Sequence, residues 1–195
     1  MADPQFVDPH DPVMTGENSF LRLSTDGGQT FPHRASHWRV LWCPAGQGHA
    51  LFLESPLVGK KPRVYADDAG VARWLQRTIE VMLHAPFADE SLPVIDADFE
   101  RAGHPLGTVE ERVVSARDAV LLSWWDLMPP FVLTLPPGAL NRPLGVYSTF
   151  LPARAAQLVV NEEAADGQVV IQDRFGRPAS SCCLAWSETW TRPRG

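Results

Sequence analysis

Cysteine is scarce, long apolar runs are missing and no stretch is strongly basic, and each lack excludes a class of protein. Three cysteines, Cys43, Cys182 and Cys183, stand in 195 residues. An odd, sparse set in which two neighbours should point to opposite faces of a strand suits reduced thiols rather than a disulfide framework. No apolar run approaches the roughly 18 residues of a membrane-spanning helix. Residues 1–12 are polar and interrupted by proline, with no apolar segment of the secretory-signal type. A cytoplasmic protein without a membrane partner is expected, unless processing has removed a leader. Seventeen Lys and Arg against 23 Asp and Glu give a net charge of -6. Nucleic acid is therefore not expected as a partner either, since binding it needs a concentrated basic surface. Phosphate-loop, dinucleotide and nucleophile-elbow signatures are also missing, and no cofactor is expected.

What is present is an ordinary globular composition, 45% hydrophobic and 21% charged, enough for one domain with a real core. Residues 1–17 carry Asp, Pro and Gly without periodicity and are expected to form an extended arm on the surface or on a partner subunit, which leaves a homodimer open. Residues 18–191 form the domain and 192–195 a tail. Short segments of period two recur along the domain, beginning at 20–23, and are separated by glycine and proline turns. Residues 24–31, STDGGQTF, resemble a single Asp-box, the hairpin motif of sialidases and several propeller proteins. That resemblance implies a turn held by Asp and Ser/Thr side chains, and no activity.

Residues 36–43 and 49–55 flank a glycine-containing loop at 44–48 and predict a hairpin. In that register Cys43 pairs with His49 and Trp38 with Glu54, and one face carries Trp38, Trp42, Phe52 and Glu54. One helix is expected from 69 to 84, capped by Asp67 or Asp68 and ended by Pro86, with Val71, Trp74, Leu75, Ile79 and Met82 on its apolar stripe. About ten strands and one helix predict a mainly β protein, an antiparallel meander closing into a calycin-like or lipocalin-like β-barrel, with a two-sheet β-sandwich as the alternative. No lipocalin G-x-W signature is present, so the likeness is one of architecture.

The chemistry is concentrated in aromatic rows that each include a carboxylate. On the strand at 180–190 the alternate residues are Cys182, Leu184, Trp186, Glu188 and Trp190, and earlier Val120, Leu122, Trp124 and Asp126 repeat the arrangement. Aromatic walls suit a flat or apolar ligand, and a carboxyl group against such walls has its pKa raised towards neutrality, which fits acid/base work. Glu188 and Asp126 are the candidate catalytic groups, with Tyr147 as a further proton donor. Trp38, Trp42, Phe52, Glu54, Trp124, Trp186 and Trp190 are the candidate substrate contacts. Each carboxylate also has a plain structural reading, as a strand end in water or an arginine partner.

A cofactor-free lyase, isomerase, hydratase or cyclase acting on a small apolar or aromatic molecule in a barrel cavity follows as the leading expectation. A non-catalytic carrier or sensor of the same ligand is the rival. A cupin-like metal enzyme using His37, His49 and Glu54 is weaker, because the expected register separates the two histidines by roughly 20 Å; no metal is expected.

Overall fold

The computed structural model describes residues 10–174 and 176–194. Within them lie thirteen strands: β1 (His10–Leu23), β2 (His33–Cys43), β3 (Gly46–Glu54), β4 (Arg63–Ala66), β5 (Val94–Gly103), β6 (Val109–Ser115), β7 (Ala119–Leu127), β8 (Phe131–Leu135), β9 (Gly145–Val160), β10 (Glu163–Ala164), β11 (Ile171–Arg174), β12 (Arg177–Ser180) and β13 (Cys183–Pro193). Nine pair side by side in the order β9, β13, β1, β2, β3, β4, β5, β6, β7, and β7 returns to β9, so the large sheet forms a ring. Ring neighbours are antiparallel except β4 and β5, where Val64 stands beside Val94 in parallel. The expected all-antiparallel meander is corrected there, because a parallel step needs a crossover and the helix lies within it. Long β9 serves two partners, β8 along its first half and β7 along its second.

Period two gives much of this sheet two buried faces. Every ring strand contributes to one apolar cluster, which holds Leu21, Leu51, Tyr65, Val113, Leu122, Trp124, Leu158 and Leu184 and fills the inside of the ring. A second cluster, with Phe20, Trp38, Phe52, Phe150, Cys183 and Trp190, lies on the outer face of β1 to β4, β9 and β13. Adjacent residues such as Phe20 and Leu21 thus face opposite ways. Burying each large side chain contributes about 2 kcal/mol, and the outer cluster is buried only because other elements cover it.

The cover is the helix and β8. Asp68 caps the helix by accepting the Val71 N–H at 2.9 Å. An α-helical stretch, Ala69–Leu75, continues as a π segment, Gln76–Glu80, and a last turn, Val81–Leu83. Val71, Ala72, Leu75 and Ile79 press on the outer face. Among the described residues no helix is long and apolar enough to cross a membrane.

Two local expectations change. From His10 onward the supposed arm is β1, seated between β13 and β2 with Met14 fully buried; residues 1–9 lie outside the described residues. The β2–β3 connection is the two-residue turn at Pro44 and Ala45, entered by a backbone irregularity between Val40 and Cys43 and left through Gly46 at φ 128. Arg39 therefore pairs with His49 and Trp38 with Ala50. Up to Val40 the register moves by an even number of residues, so side chains keep their faces but change neighbours; past the irregularity Cys43 joins Trp38 on the outer face. The rings of His37 and His49 come within 6.4 Å, centroid to centroid, which overturns the wide separation expected for them.

The turn at 24–31 behaves as the Asp-box resemblance implies. The Asp26 carboxylate accepts the Gln29 and Thr30 N–H groups at 3.0 and 2.9 Å and the Ser24 and Thr30 hydroxyls at 2.8 and 2.7 Å. The Thr30 donors above all hold its pKa well below the usual carboxylate range.

Candidate functional site

A cavity of about 250 Å³ lies between the outer face of the ring and its cover. Strands β1, β2, β9 and β13 supply one side, through Asn18, Phe20, Ser36, Phe150, Glu188 and Trp190. The end of the helix supplies Glu80, Leu83 and His84, β8 supplies Leu133 and Leu135, and Arg142 and Arg174 reach in from the following segments.

Glu188 arrives here through a break in strand periodicity. Leu184 and Trp186 belong to the inside of the ring. Ser187 then takes a left-handed conformation at φ 53, and the pairing of β13 with both neighbours shifts at this point. A bulge of this kind reverses the alternation. Glu188 and Trp190 consequently lie on the outer face, 4% and 3% exposed. The expected continuous row from Cys182 to Trp190 is corrected into two halves on opposite faces.

The Trp190 indole N–H donates to the Glu188 carboxyl at 2.6 Å. Burial pushes Glu188 up to about 8, with its Trp190 hydrogen bond and the nearby Ser148 hydroxyl pulling back and Glu80 pushing further up. Glu80 repeats the arrangement from the helix side. Its Oε1 accepts the Trp38 indole N–H and the Ser36 hydroxyl, both at 2.6 Å, while its buried Oε2 has no hydrogen-bond partner. Burial raises Glu80 to about 7 against those two donors and Arg22. The acid that ionises first feels no charge from its partner and the second does, so Glu80 pushes Glu188 up. The two indoles stand 6.5 Å apart, ring centre to ring centre.

The cavity also gathers four arginines. Arg22 and Arg34 are direct cross-strand neighbours on β1 and β2, and Arg142 and Arg174 line the same space. Among the described residues no carboxylate forms an ion pair with any of them. The Arg22 and Arg174 guanidinium groups lie 5.5 and 5.4 Å from the centre of one ring, Phe20, and Arg174 is also 5.5 Å from Phe150. Burial, then the Arg174 and Arg34 charges, lowers Arg22 to about 10; burial lowers Arg174 as well.

Of the residues singled out in the sequence, Glu188 and Trp190 line this cavity, and Trp38 stands behind Glu80. Phe52 is buried beneath, against Phe87. Glu54 lies 2.7 Å from Nε2 of His84, which lines the cavity. Trp42 is half exposed at the end of β2. Trp124 is inside the ring, donating to the Phe20 carbonyl at 3.1 Å, and Trp186 packs against the inner cluster beneath Arg101. The common wall of Trp38, Trp124 and Trp186 is therefore not formed, because strand alternation sends them to opposite faces. Asp126, at φ 51, leaves its row and faces solvent 3.2 Å from Arg154. The Tyr147 hydroxyl is 3.0 Å from Nδ1 of His10, outside the cavity.

His37 is buried with neither ring nitrogen hydrogen-bonded, and burial, ahead of the His49 and arginine charges, holds it down to about 3. Glu54 sits on the other face of the sheet. Among the described residues no three His, Cys, Asp or Glu side chains are placed to hold a metal ion. Burial pushes Cys182 up to about 11 and Cys183 higher still, against thiolate chemistry.

Sequence reading missed Glu80 and the arginines. Glu80 carried a signal: positions 72, 76 and 80 fall on one helix stripe with 75 and 79, and an acid on a buried stripe needs a reason. The arginines carried none, since their convergence is a product of tertiary structure. No family profile, no curated protein and no solved structure matches the chain.

Proposed function

We propose that the protein is a small-molecule enzyme working without a cofactor, which moves a proton on an apolar or aromatic organic substrate held in the outer-face cavity. One observation carries this reading: two buried carboxyl groups, Glu80 and Glu188, each braced by an indole N–H, border the same cavity. Burying an unpaired carboxylate costs several kcal/mol unless it is protonated or hydrogen-bonded, and here burial keeps both acids near neutral pH. Between pH 7 and 8 Glu80 is the better base and Glu188 the better acid. A base that removes a proton beside an acid that returns one is the equipment of an isomerase or lyase. Asp126 and Tyr147 have no part in it.

In this reading the ring is a calycin-like barrel whose inside is packed with side chains and whose ligand site lies on the outer face. Three buried, unpaired cysteines support a reducing, cytoplasmic setting.

The test is proton exchange into small aromatic and aliphatic acids, ketones and enones in D₂O, followed by NMR. Wild-type protein is expected to label at least one compound at carbon. Glu188→Gln keeps the shape, removes the acid, and is expected to slow labelling by roughly 100-fold or more. Binding without labelling of any compound would favour the carrier reading.

A further inference from the structure

We infer that the cavity takes an organic carboxylate, its charged end gripped by Arg22 and Arg174 and its apolar body laid against Phe20 and Phe150. The inference rests on the outer-face cavity being a ligand site, but not on the chemistry of Glu188.

Like charges directly opposite across two strands destabilise a sheet, and Arg22 faces Arg34 in that way. Arg174 and Arg142 bring two more positive groups to the same space, and no carboxylate of the described residues neutralises any of the four by an ion pair. All four are partly buried, and removing a cation from water without a counter-ion carries a cost that burial makes visible at Arg22 and Arg174. Near neutral pH burial keeps Glu188 largely protonated, and Glu80, even when ionised, supplies one negative charge against four positive ones. An arriving anion supplies the missing partner, and guanidinium groups match a carboxylate through paired N–H donors.

The ligand's remaining features follow from the lining. Phe20 lies beneath both guanidinium groups and makes an edge contact with Phe150, the ring centres 6.0 Å apart. Leu133, Leu135 and Val146 add further apolar surface. A space of about 250 Å³ exceeds the roughly 150 Å³ cavity that accepts a benzene molecule, so a bicyclic aromatic acid or an aliphatic chain of similar bulk fits.

The experiment compares 2-naphthoate with 2-naphthamide, the same body with and without charge, by calorimetry on the full chain. Wild-type protein is expected to prefer the acid by roughly 10-fold or more. Arg174→Met, which keeps the apolar stem, should bring that preference to within about 2-fold, by weakening the acid more than the amide. If Arg174→Met does not fold, Arg142→Gln is expected to reduce the preference in the same direction. Equal binding of acid and amide by the wild type, no binding of either, or an undiminished preference in the folded variant overturns the inference. A preference for the acid without proton exchange leaves this inference standing and removes the enzyme reading. Exchange with no preference for the acid does the reverse.

Discussion

Trp186 and Glu188, two residues apart on one strand, lie on opposite faces of the sheet because Ser187 between them is left-handed, at φ 53. A non-glycine residue in that conformation costs about 1 kcal/mol, and Ser187 is solvent-exposed, with no packing to offset it. The bulge turns an acid away from the ring's filled interior and into the cavity.

Ser187→Gly is accordingly expected to hold or raise stability by up to about 1 kcal/mol, since glycine adopts the conformation freely. Ser187→Val should lower it by about 1–2 kcal/mol, because a β-branched side chain resists positive φ. Urea unfolding of the two variants measures both. Equal stability would mean that the bulge is not the constraint described.

Arg22 faces Arg34 across β1 and β2 in the cavity, and among the described residues no carboxylate forms an ion pair with either. Arg22→Met removes one of the opposed charges and keeps most of the stem. It is expected to stabilise the ligand-free protein by about 1 kcal/mol, a rise of about 2–4 °C in Tm. A clear loss of stability would show that the charge is satisfied in the free protein.

Glu80 and Glu188 make stability depend on pH. A carboxyl whose folded pKa is raised binds more protons folded than unfolded, so its contribution is complete below about 4.5 and is lost as pH rises through about 7 and 8. His37, held down to about 3, acts in the opposite sense, but only below its unfolded value of 6.5. Between pH 6.5 and about 8, below the range of the shifted thiols and Arg22, the two acids dominate, and wild-type stability should fall with a slope approaching about 1.4 kcal/mol per pH unit for each acid still protonated in the folded state. Glu80→Gln should flatten the early part of that fall. Thermal unfolding at a series of pH values reads the slope, and a flat profile from pH 6.5 to 8.5 would contradict the assignment.

Local patterns were legible in the sequence wherever they decided the structure locally. The helix, its Asp68 cap, the Asp-box turn and most strands follow from spacing and capping chemistry. The faces taken by Arg34 to Val40 and their β3 partners survived a register error, since the shift there was even, but past the irregularity Cys43 changed sides. What escaped are features set by single backbone events or by distant contacts. A bulge at Ser187 divided one aromatic row, and Asp126, left-handed at the end of β7, broke another. The crossover that makes β4 and β5 parallel has no pattern of its own, and neither has the meeting of Glu80, from the helix, with Glu188, from the last strand. Glu188 itself was found because an acid beside tryptophans is odd in any register.

The central claim is that Glu80 and Glu188 hold protons near neutral pH in one cavity, and carbon-13 titration of the glutamate carboxyl groups tests it without knowledge of the substrate. The account predicts one carboxyl with a midpoint near 7, lost in Glu80→Gln, and one near 8, lost in Glu188→Gln. In Glu80→Gln the Glu188 midpoint should also move down, because the charge that raised it has gone. Titration of every glutamate below about pH 5.5 would contradict the account.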